Sequence, residues 1–266
     1  MRTTLIIAAL ASATVLTGCN SNENVDTEAT ASEYSPRKYM QAINDIARLD
    51  DVDQDEARKP GELLAFAQID RGDVVGDYMM GGGYVTRLLA TAVGADGKVY
   101  AFQPDEFIAF NADYGPQQDE TVRRYADEEG NPVGVFPLRA PLTEPGWPEQ
   151  LDTIITVMNF HDLYLPTFPE GTAEEATAML FASLKPGGTL VVVDHRAVDG
   201  AGAEVADTLH RMDGELALAT LTAAGFELEA EGDMYSRPDD QLSVNVFEDA
   251  VRGQTDQFAW RLRKPE

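Results

Sequence analysis

Cysteine is almost absent from this chain. Its 266 residues contain one, Cys19, so no disulfide can staple the fold and no cysteine cluster can bind a metal. Histidine is nearly as scarce, at three residues: His161, His195 and His210. Basic residues number 20 against 46 acidic ones, giving a formal charge of -26 at pH 7. Such a chain lacks the positive surface that phosphate backbones require, which argues against nucleic acid as a partner. The same deficit argues against electrostatic docking onto anionic lipid. The acids are scattered rather than set at ligand spacings, and they read as a heavily solvated surface of the kind found in proteins of salty habitats. The N-terminal apolar run, from Leu5 to Val15, falls well short of the roughly 20 residues that a spanning helix needs.

What is present begins with that run. Arg2 precedes it and Leu16-Thr17-Gly18-Cys19 ends it. A basic start, a short apolar stretch and a small-residue cleavage site make a signal peptide. The closing string resembles the lipobox of bacterial lipoproteins. That resemblance implies cleavage before Cys19, acylation of its thiol and attachment to the periplasmic side of the cell envelope. Asn20 follows the cysteine where an aspartate would signal inner-membrane retention, so the resemblance points to the outer membrane. The expected organisation is a signal peptide at 1–18, an acylated cysteine with a disordered tether at 19–37, and one domain at 38–266. The tether is polar and acidic and cannot bury enough apolar surface to fold. As a coil it reaches roughly 20–25 Å. The acyl chains are then the only membrane contact.

Beyond the tether, helical and strand periods alternate. A first amphipathic helix is expected from Tyr39 and a second from Glu62 to about Gln68. Strands are expected at 73–78, 98–103, 133–136, 151–158 and 189–194. Helices are expected at 84–93, about 106–129, 174–184 (stopped by Lys185-Pro186-Gly187-Gly188) and 204–224. Two last strands, at 226–232 and 258–264, have no helix between them. This order predicts an α/β, Rossmann-like, doubly wound sheet of seven strands, mostly parallel, with an antiparallel strand at its edge. No internal repeat and no second domain is visible.

In such sheets ligands sit at the carboxyl ends of the strands, where the strand order reverses. The turn after the first strand is Met79-Met80-Gly81-Gly82-Gly83. Glycines there allow positive φ and close backbone approach, and the following helix offers free N–H groups. They also suit a tight turn with no ligand. A dinucleotide fingerprint would need glycine or alanine at 86, where Thr86 stands.

The order of elements, this turn, Lys185-Pro186-Gly187-Gly188 and the closing strand pair together resemble class I S-adenosylmethionine-dependent methyltransferases. The resemblance covers about Pro60 to Pro265. It is closest to a bacterial group known as predicted methyltransferases, through Gly81-Gly82-Gly83-Tyr84, Asn159-Phe160-His161-Asp162-Leu163 and Asp194-His195-Arg196. Leu209-His210-Arg211-Met212-Asp213 and Val251-Arg252-Gly253-Gln254-Thr255-Asp256 extend it. It implies S-adenosylmethionine as cofactor, with Asp77, Gly81, Gly82 and Gly83 around its methionine part and Gln103 at its ribose. Met79 stands where the motif has its first glycine. Gln103 stands where an acid usually grips the ribose hydroxyls, so the charge assistance of that bond is lost.

Imidazole has the side-chain pKa nearest neutrality, so the three histidines are the candidate acid–base groups. His161 follows the fourth strand and His195 ends the fifth; His210 is expected inside the next helix. Each has a neighbouring acid: Asp162, Asp194 and Asp207. The candidate catalytic residues are His161 as base, Asn159 as an orienting amide, Asp162 and His195. Each histidine could instead satisfy buried backbone groups. Three histidines with carboxylates could ligate zinc, but without a short i, i+4 histidine pair no metal is expected. Tyr84, Tyr164 and Tyr235 are candidate pocket walls; Arg196 and Arg211 could meet an anionic substrate or form internal ion pairs. The expected function is methyl transfer to a small molecule. The alternative is an envelope lipoprotein that keeps the fold and binds an adenosine-like or small polar ligand without transfer.

Overall fold

The computed structural model describes Tyr34–Glu266. The expected signal peptide 1–18, Cys19 and most of the 19–37 tether lie outside the described residues. The tether's last residues lie inside them. There the Tyr34 hydroxyl donates to Asp70 at 2.5 Å and Pro36–Tyr39 forms a 3-10 turn. No helix among the described residues is long and apolar enough to cross a membrane.

Seven strands make one sheet: β1 Val74–Tyr78, β2 Lys98–Pro104, β3 Val135–Ala140, β4 Leu151–Val157, β5 Leu184–His195, β6 Glu227–Gly232 and β7 Gln257–Arg263. Their spatial order is β3-β2-β1-β4-β5-β7-β6. Neighbours from β3 through β5 pair in parallel, while β7 runs antiparallel to both β5 and β6. This is the α/β, mostly parallel, doubly wound sheet that the alternation predicts, with the antiparallel pairing at the edge. Composition decides which of the last two strands lies outermost. β7 buries Phe258, Ala259, Trp260 and Leu262, whereas β6 carries Glu227, Glu229 and Glu231. Charged side chains on an edge strand discourage pairing with another chain.

Seven helices cover the sheet: α1 Pro60–Ala67, α2 Tyr84–Val93, α3 Asp105–Phe110, α4 Tyr114–Arg123, α5 Thr172–Ser183, α6 Glu204–Leu209 and α7 Gly214–Ala223. Short helical turns between Met40 and Arg58 precede α1. The expected helix at Tyr39 is thus only a turn or two long. A buried parallel strand must be apolar on both faces, and β5 shows how its residues divide. Val191 and Val193 join the core with Leu88 and Leu89 of α2, while Leu190 and Val192 join the opposite core with Leu180 of α5 and Leu221 of α7.

Four further elements differ from expectation. The polar helix at 106–129 is two helices, α3 and α4, and β3 starts later and runs further than 133–136. Lys185–Gly188 does not merely stop a helix: β5 starts at Leu184, which pairs with Leu151. Most consequentially, 204–224 is not one helix. His210 adopts a left-handed backbone, φ 57°, and caps α6. Residues 211–213 then run beside the end of β5, where Met212 N–H donates to His195 O at 2.7 Å and Ala197 N–H to Met212 O at 2.8 Å. Asp213 restarts the helix, its carboxylate accepting from Glu215 and Leu216 N–H. An aspartate followed by Gly214 and Glu215 is an N-cap signal inside the apparent helical pattern.

Candidate active site

The strand order reverses between β1 and β4, so the ends of those strands open the crevice in which such sheets bind ligands. The turn from β1 into α2 holds three left-handed residues: Met79 at φ 64°, Gly81 at 53° and Gly83 at 81°. At Met79 this conformation costs about 1–2 kcal/mol that glycine would avoid. Its buried side chain returns a similar or larger amount, about 1.5–3 kcal/mol. Methionine therefore keeps the turn that the motif's glycine makes. Asn159 clamps it, its amide nitrogen donating to Met79 O and Val157 O, both at 2.9 Å.

The glycines differ in what surrounds them. A Cβ on Gly83 would collide with Thr121 and with the Arg87 guanidinium, whereas one on Gly81 would meet nothing within 4 Å. Arg87 donates to Gly82 O at 3.0 Å and Thr121 Oγ1 at 2.8 Å, and its buried head pairs with Asp51 at 2.5 Å. Gly83 thus serves packing, and Gly81 is the position where backbone is open to a ligand.

Asp77 is buried and accepts the Thr86 hydroxyl at 2.5 Å. Burial pushes its carboxyl up to about 6, against the opposing pull of the Thr86 bonds and of Arg87 and Arg58. A carboxyl raised above its unfolded value of 3.8 favours the fold below that value and loses the contribution as pH rises through about 6. Asp77→Asn should therefore raise stability at pH 8 by about 1–3 kcal/mol and leave it unchanged at pH 4. Urea unfolding at the two pH values checks this; equal stability at pH 8 would show that the carboxylate is not strained.

At the end of β2, Gln103 is completely buried, and neither its amide oxygen nor its nitrogen has a hydrogen-bond partner. Leaving such groups unpaired costs about 1–3 kcal/mol each. Asp105, two residues on, is exposed in the first turn of α3.

The histidines converge. His161 lies in a 3-10 turn, Phe160–Tyr164, directly after β4. Asp194, one residue from the end of β5, accepts His161 Nδ1–H at 2.8 Å and His161 backbone N–H at 2.7 Å. The same carboxylate accepts His195 N–H at 2.7 Å. His161 and Asp194 have no exposed side-chain surface. Burial opposes a charge on either, but their mutual attraction and hydrogen bond outweigh it, raising the imidazole pKa and lowering the carboxyl. The His161 and His210 rings touch edge to face, centroids 4.0 Å apart, and His195 lies 6.3 Å from His161. Burial holds His195 and His210 down to about 4, so both stay neutral at physiological pH. Asp162 is raised to about 6, chiefly by burial.

Two of the adjacent acids do touch their histidines, Asp162 at 3.5 Å from His161 Nε2 and Asp194 through the His195 N–H, but the strong pairing crosses strands. The hydrogen-bonded partner of the His161 ring is Asp194, 33 residues away; Asp162 also lies beside His210, while Asp207 is exposed on α6. Two of the three tyrosines, Tyr84 and Tyr235, line a cavity of about 710 Å³, together with Arg58, Val157, Met158, His195, Phe247 and Thr255. Tyr164 instead donates to Thr220 at 2.8 Å. Arg196 and Arg211 form ion pairs with Asp256 and Asp240. Thr255, 2.8 Å from His195 Nδ1, lies in the 251–256 string that carries the resemblance, though no role is expected of it there; nothing in the local sequence marks Arg58.

This cavity touches the start of α2, the end of β4 and the end of β5. No protein-family model matches the sequence, nor does any curated protein. The fold does match solved structures. The N-methyltransferase NodS from Bradyrhizobium japonicum superimposes with a TM-score of 0.53 at 15% identity, covering 82% of this chain and 100% of that one. The [4+2]-cyclase SpnF superimposes with a TM-score of 0.52 at 16% identity, covering 79% of this chain and 80% of that one. This is the class I methyltransferase fold. The glycine turn lies at the end of β1 and the Gln103 amide at the end of β2, while the cavity opens beside the ends of β4 and β5.

Proposed function

We propose that the protein transfers the methyl group of S-adenosylmethionine to a small-molecule acceptor while tethered to the cell envelope through acylated Cys19. The observation that carries this reading is Gln103, a fully buried amide with both polar atoms unpaired at the strand end where a ribose diol would pair them. The residues fit the cofactor: Gln103 would take the ribose hydroxyls, and the open backbone at Gly81 with the start of α2 would meet the methionine part. When bound, the cofactor supplies an electrophilic methyl group on its sulfonium.

The chain's own work is alignment, water exclusion and proton handling. His195 is the histidine on the cavity wall. In the tautomer whose Nδ1–H donates to Thr255 Oγ1, Nε2 keeps its lone pair for the acceptor. A ring neutral above about pH 4 accepts a hydrogen bond from an acceptor O–H or N–H throughout the neutral range, orients it and can receive its proton. His161 has no exposed surface and holds Asp194, which in turn fixes the backbone of His195. Asn159 shapes the glycine turn through Met79.

Calorimetric titration of the full-length protein with S-adenosylmethionine and S-adenosylhomocysteine tests the reading. Binding of both is expected, with Gln103→Leu weakening it roughly 10- to 100-fold. His195→Gln should keep cofactor binding and lower turnover about 100- to 10,000-fold. No heat at millimolar ligand would sink the proposal. A second reading, a binding protein without transfer, is favoured by Met79 and Gln103, the two positions that depart from the methyltransferase motif. Binding without turnover on any acceptor would select it.

A further inference from the structure

Asp162 and His210 meet His161 on the side away from Asp194. One ligand atom from each of the three residues lies within 4.8 Å of the other two. Within that group His161 Nε2 stands 3.5 Å from Asp162 Oδ1. Two ligands bound about 2.0–2.2 Å from a tetrahedral cation are separated by about 3.3–3.6 Å, so this edge already has the spacing of a metal site.

Two further features set the cluster apart from a chance contact. His161 Nε2 is buried and has no hydrogen-bond partner. Its tautomer is also settled from behind. The Asp194 carboxylate can only accept, so Nδ1 carries a proton and, in the neutral ring, Nε2 presents its lone pair to the cluster. A carboxylate holding a histidine by its other nitrogen is the outer-shell arrangement of protein metal sites, where it orients the ring and raises its basicity.

We infer that His161, Asp162 and His210 form a binding site for a divalent transition cation of the zinc or iron(II) class, with Asp194 as its positioning residue. Two imidazoles and one carboxylate suit these borderline cations better than calcium or magnesium, which take oxygen ligands. Three protein ligands leave at least one coordination position for water or for an oxygen or nitrogen of a small molecule. Phe247 packs on the His210 ring, centroids 4.7 Å apart, and lines the cavity, as does His195. The site therefore lies directly behind the cavity wall. The inference goes beyond the methyl-transfer reading and does not depend on it.

The left-handed backbone of His210 has a use here. It ends α6 at Leu209 and lets the imidazole pack on His161 in the turn after β4. Asparagine tolerates that backbone well, so His210→Asn removes a ligand with little strain.

The test uses zinc or cobalt(II) alone, titrated into the metal-free full-length protein in the presence of millimolar calcium, which saturates weak sites on so acidic a surface. Wild type should bind one equivalent, and cobalt should give the intense visible bands of a four- or five-coordinate nitrogen-ligated site. His210→Asn and Asp162→Asn should each weaken binding at least about 100-fold, and Asp194→Asn about 10- to 100-fold. Circular dichroism of His210→Asn and Asp162→Asn, both expected to stay folded, separates a lost ligand from a lost fold. If folded His210→Asn and Asp162→Asn bind zinc within threefold of wild type, or wild type binds none under calcium, the site is refuted. Because no adenosyl ligand enters this titration, its failure leaves the methyl-transfer proposal standing, and failure of that proposal leaves this one.

Discussion

Asp194→Asn should destabilise the protein by about 3–5 kcal/mol, the cost of stripping the partner from a buried charge. The carboxylate accepts three N–H groups: the ring and backbone of His161 and the backbone of His195. An asparagine of the same shape keeps one acceptor oxygen and turns an NH2 group toward donors. For a domain of this size the loss corresponds to a drop of roughly 6–20 °C in Tm. The sign of the pH dependence follows from the two shifts. The raised His161 pKa contributes fully below its unfolded value of 6.5 and fades as pH rises through the folded value. The lowered Asp194 pKa contributes above its unfolded value of 3.8 and fades as pH falls through the folded value. The penalty should therefore be greatest between those two unfolded values. Asp162→Asn is the control, because the Asp162 carboxylate makes no hydrogen bond with either histidine and burial already raises its pKa to about 6, so losing its charge should not destabilise the protein near neutral pH. In a cycle with His161→Gln the double variant should lose less than the sum of the singles. Additive losses, or a cost for Asp194→Asn no greater than that of the control, would mean that the pair is not what holds this region.

Arg211→Met should cost a similar amount, about 3–5 kcal/mol, and loosen one wall of the cavity. Neither Arg211 nor Asp240 exposes any side-chain surface. The guanidinium binds Asp240 through two nitrogens, at 2.8 and 3.1 Å, and donates also to Val244 O and Arg196 O. Asp240 in turn accepts Leu242 N–H and Asp256 N–H. One buried cation thus ties the end of β5 to the irregular segment between β6 and β7, which supplies Arg237, Val246, Phe247, Arg252 and Thr255 to the cavity. A thioether can fill the volume but satisfies none of these carbonyls. Limited proteolysis should then cut within 233–256 well before the sheet unfolds, since segments with few buried apolar contacts open locally first. Unchanged cleavage in a destabilised variant would mean that Arg211 supports the whole domain and not this wall in particular. Arg211→Lys should not restore wild-type behaviour, because an ammonium cannot make the two-nitrogen contact with Asp240.

Most of the sheet is legible in the amino-acid sequence. β1, β4, β5 and β7 are apolar runs bounded by turn residues, and α2 carries Val85, Leu88 and Leu89 at helical spacing. Period and punctuation are local properties, so the sequence displays them directly. The site was legible in its parts but not in its pairings. His161 and His195 stood out because the chain has so few histidines and both follow strands. Their partners did not, because Asp194 reaches His161 only through the side-by-side packing of β4 and β5. His210 was misplaced because apolar periodicity runs through 204–224 almost unbroken. The competing signal, Asp213-Gly214-Glu215, is a short cap that the longer pattern masks.

What the sequence by itself determined is what depends on near neighbours: the alternation of strands and helices, the glycine turn, the scarcity of thiol and imidazole, and the acidic surface. Those local preferences suffice to select an α/β sheet, because each strand and each helix must bury its own apolar face. Only the tertiary structure decided which groups share a buried space. A carboxylate can meet an imidazole 33 residues away, and a lone pair can be left unpaired, only when two strands lie side by side and water is excluded between them. Burial then makes those few meetings energetically large. That is why the chemistry of this protein is settled by the contacts between its elements rather than by the elements themselves.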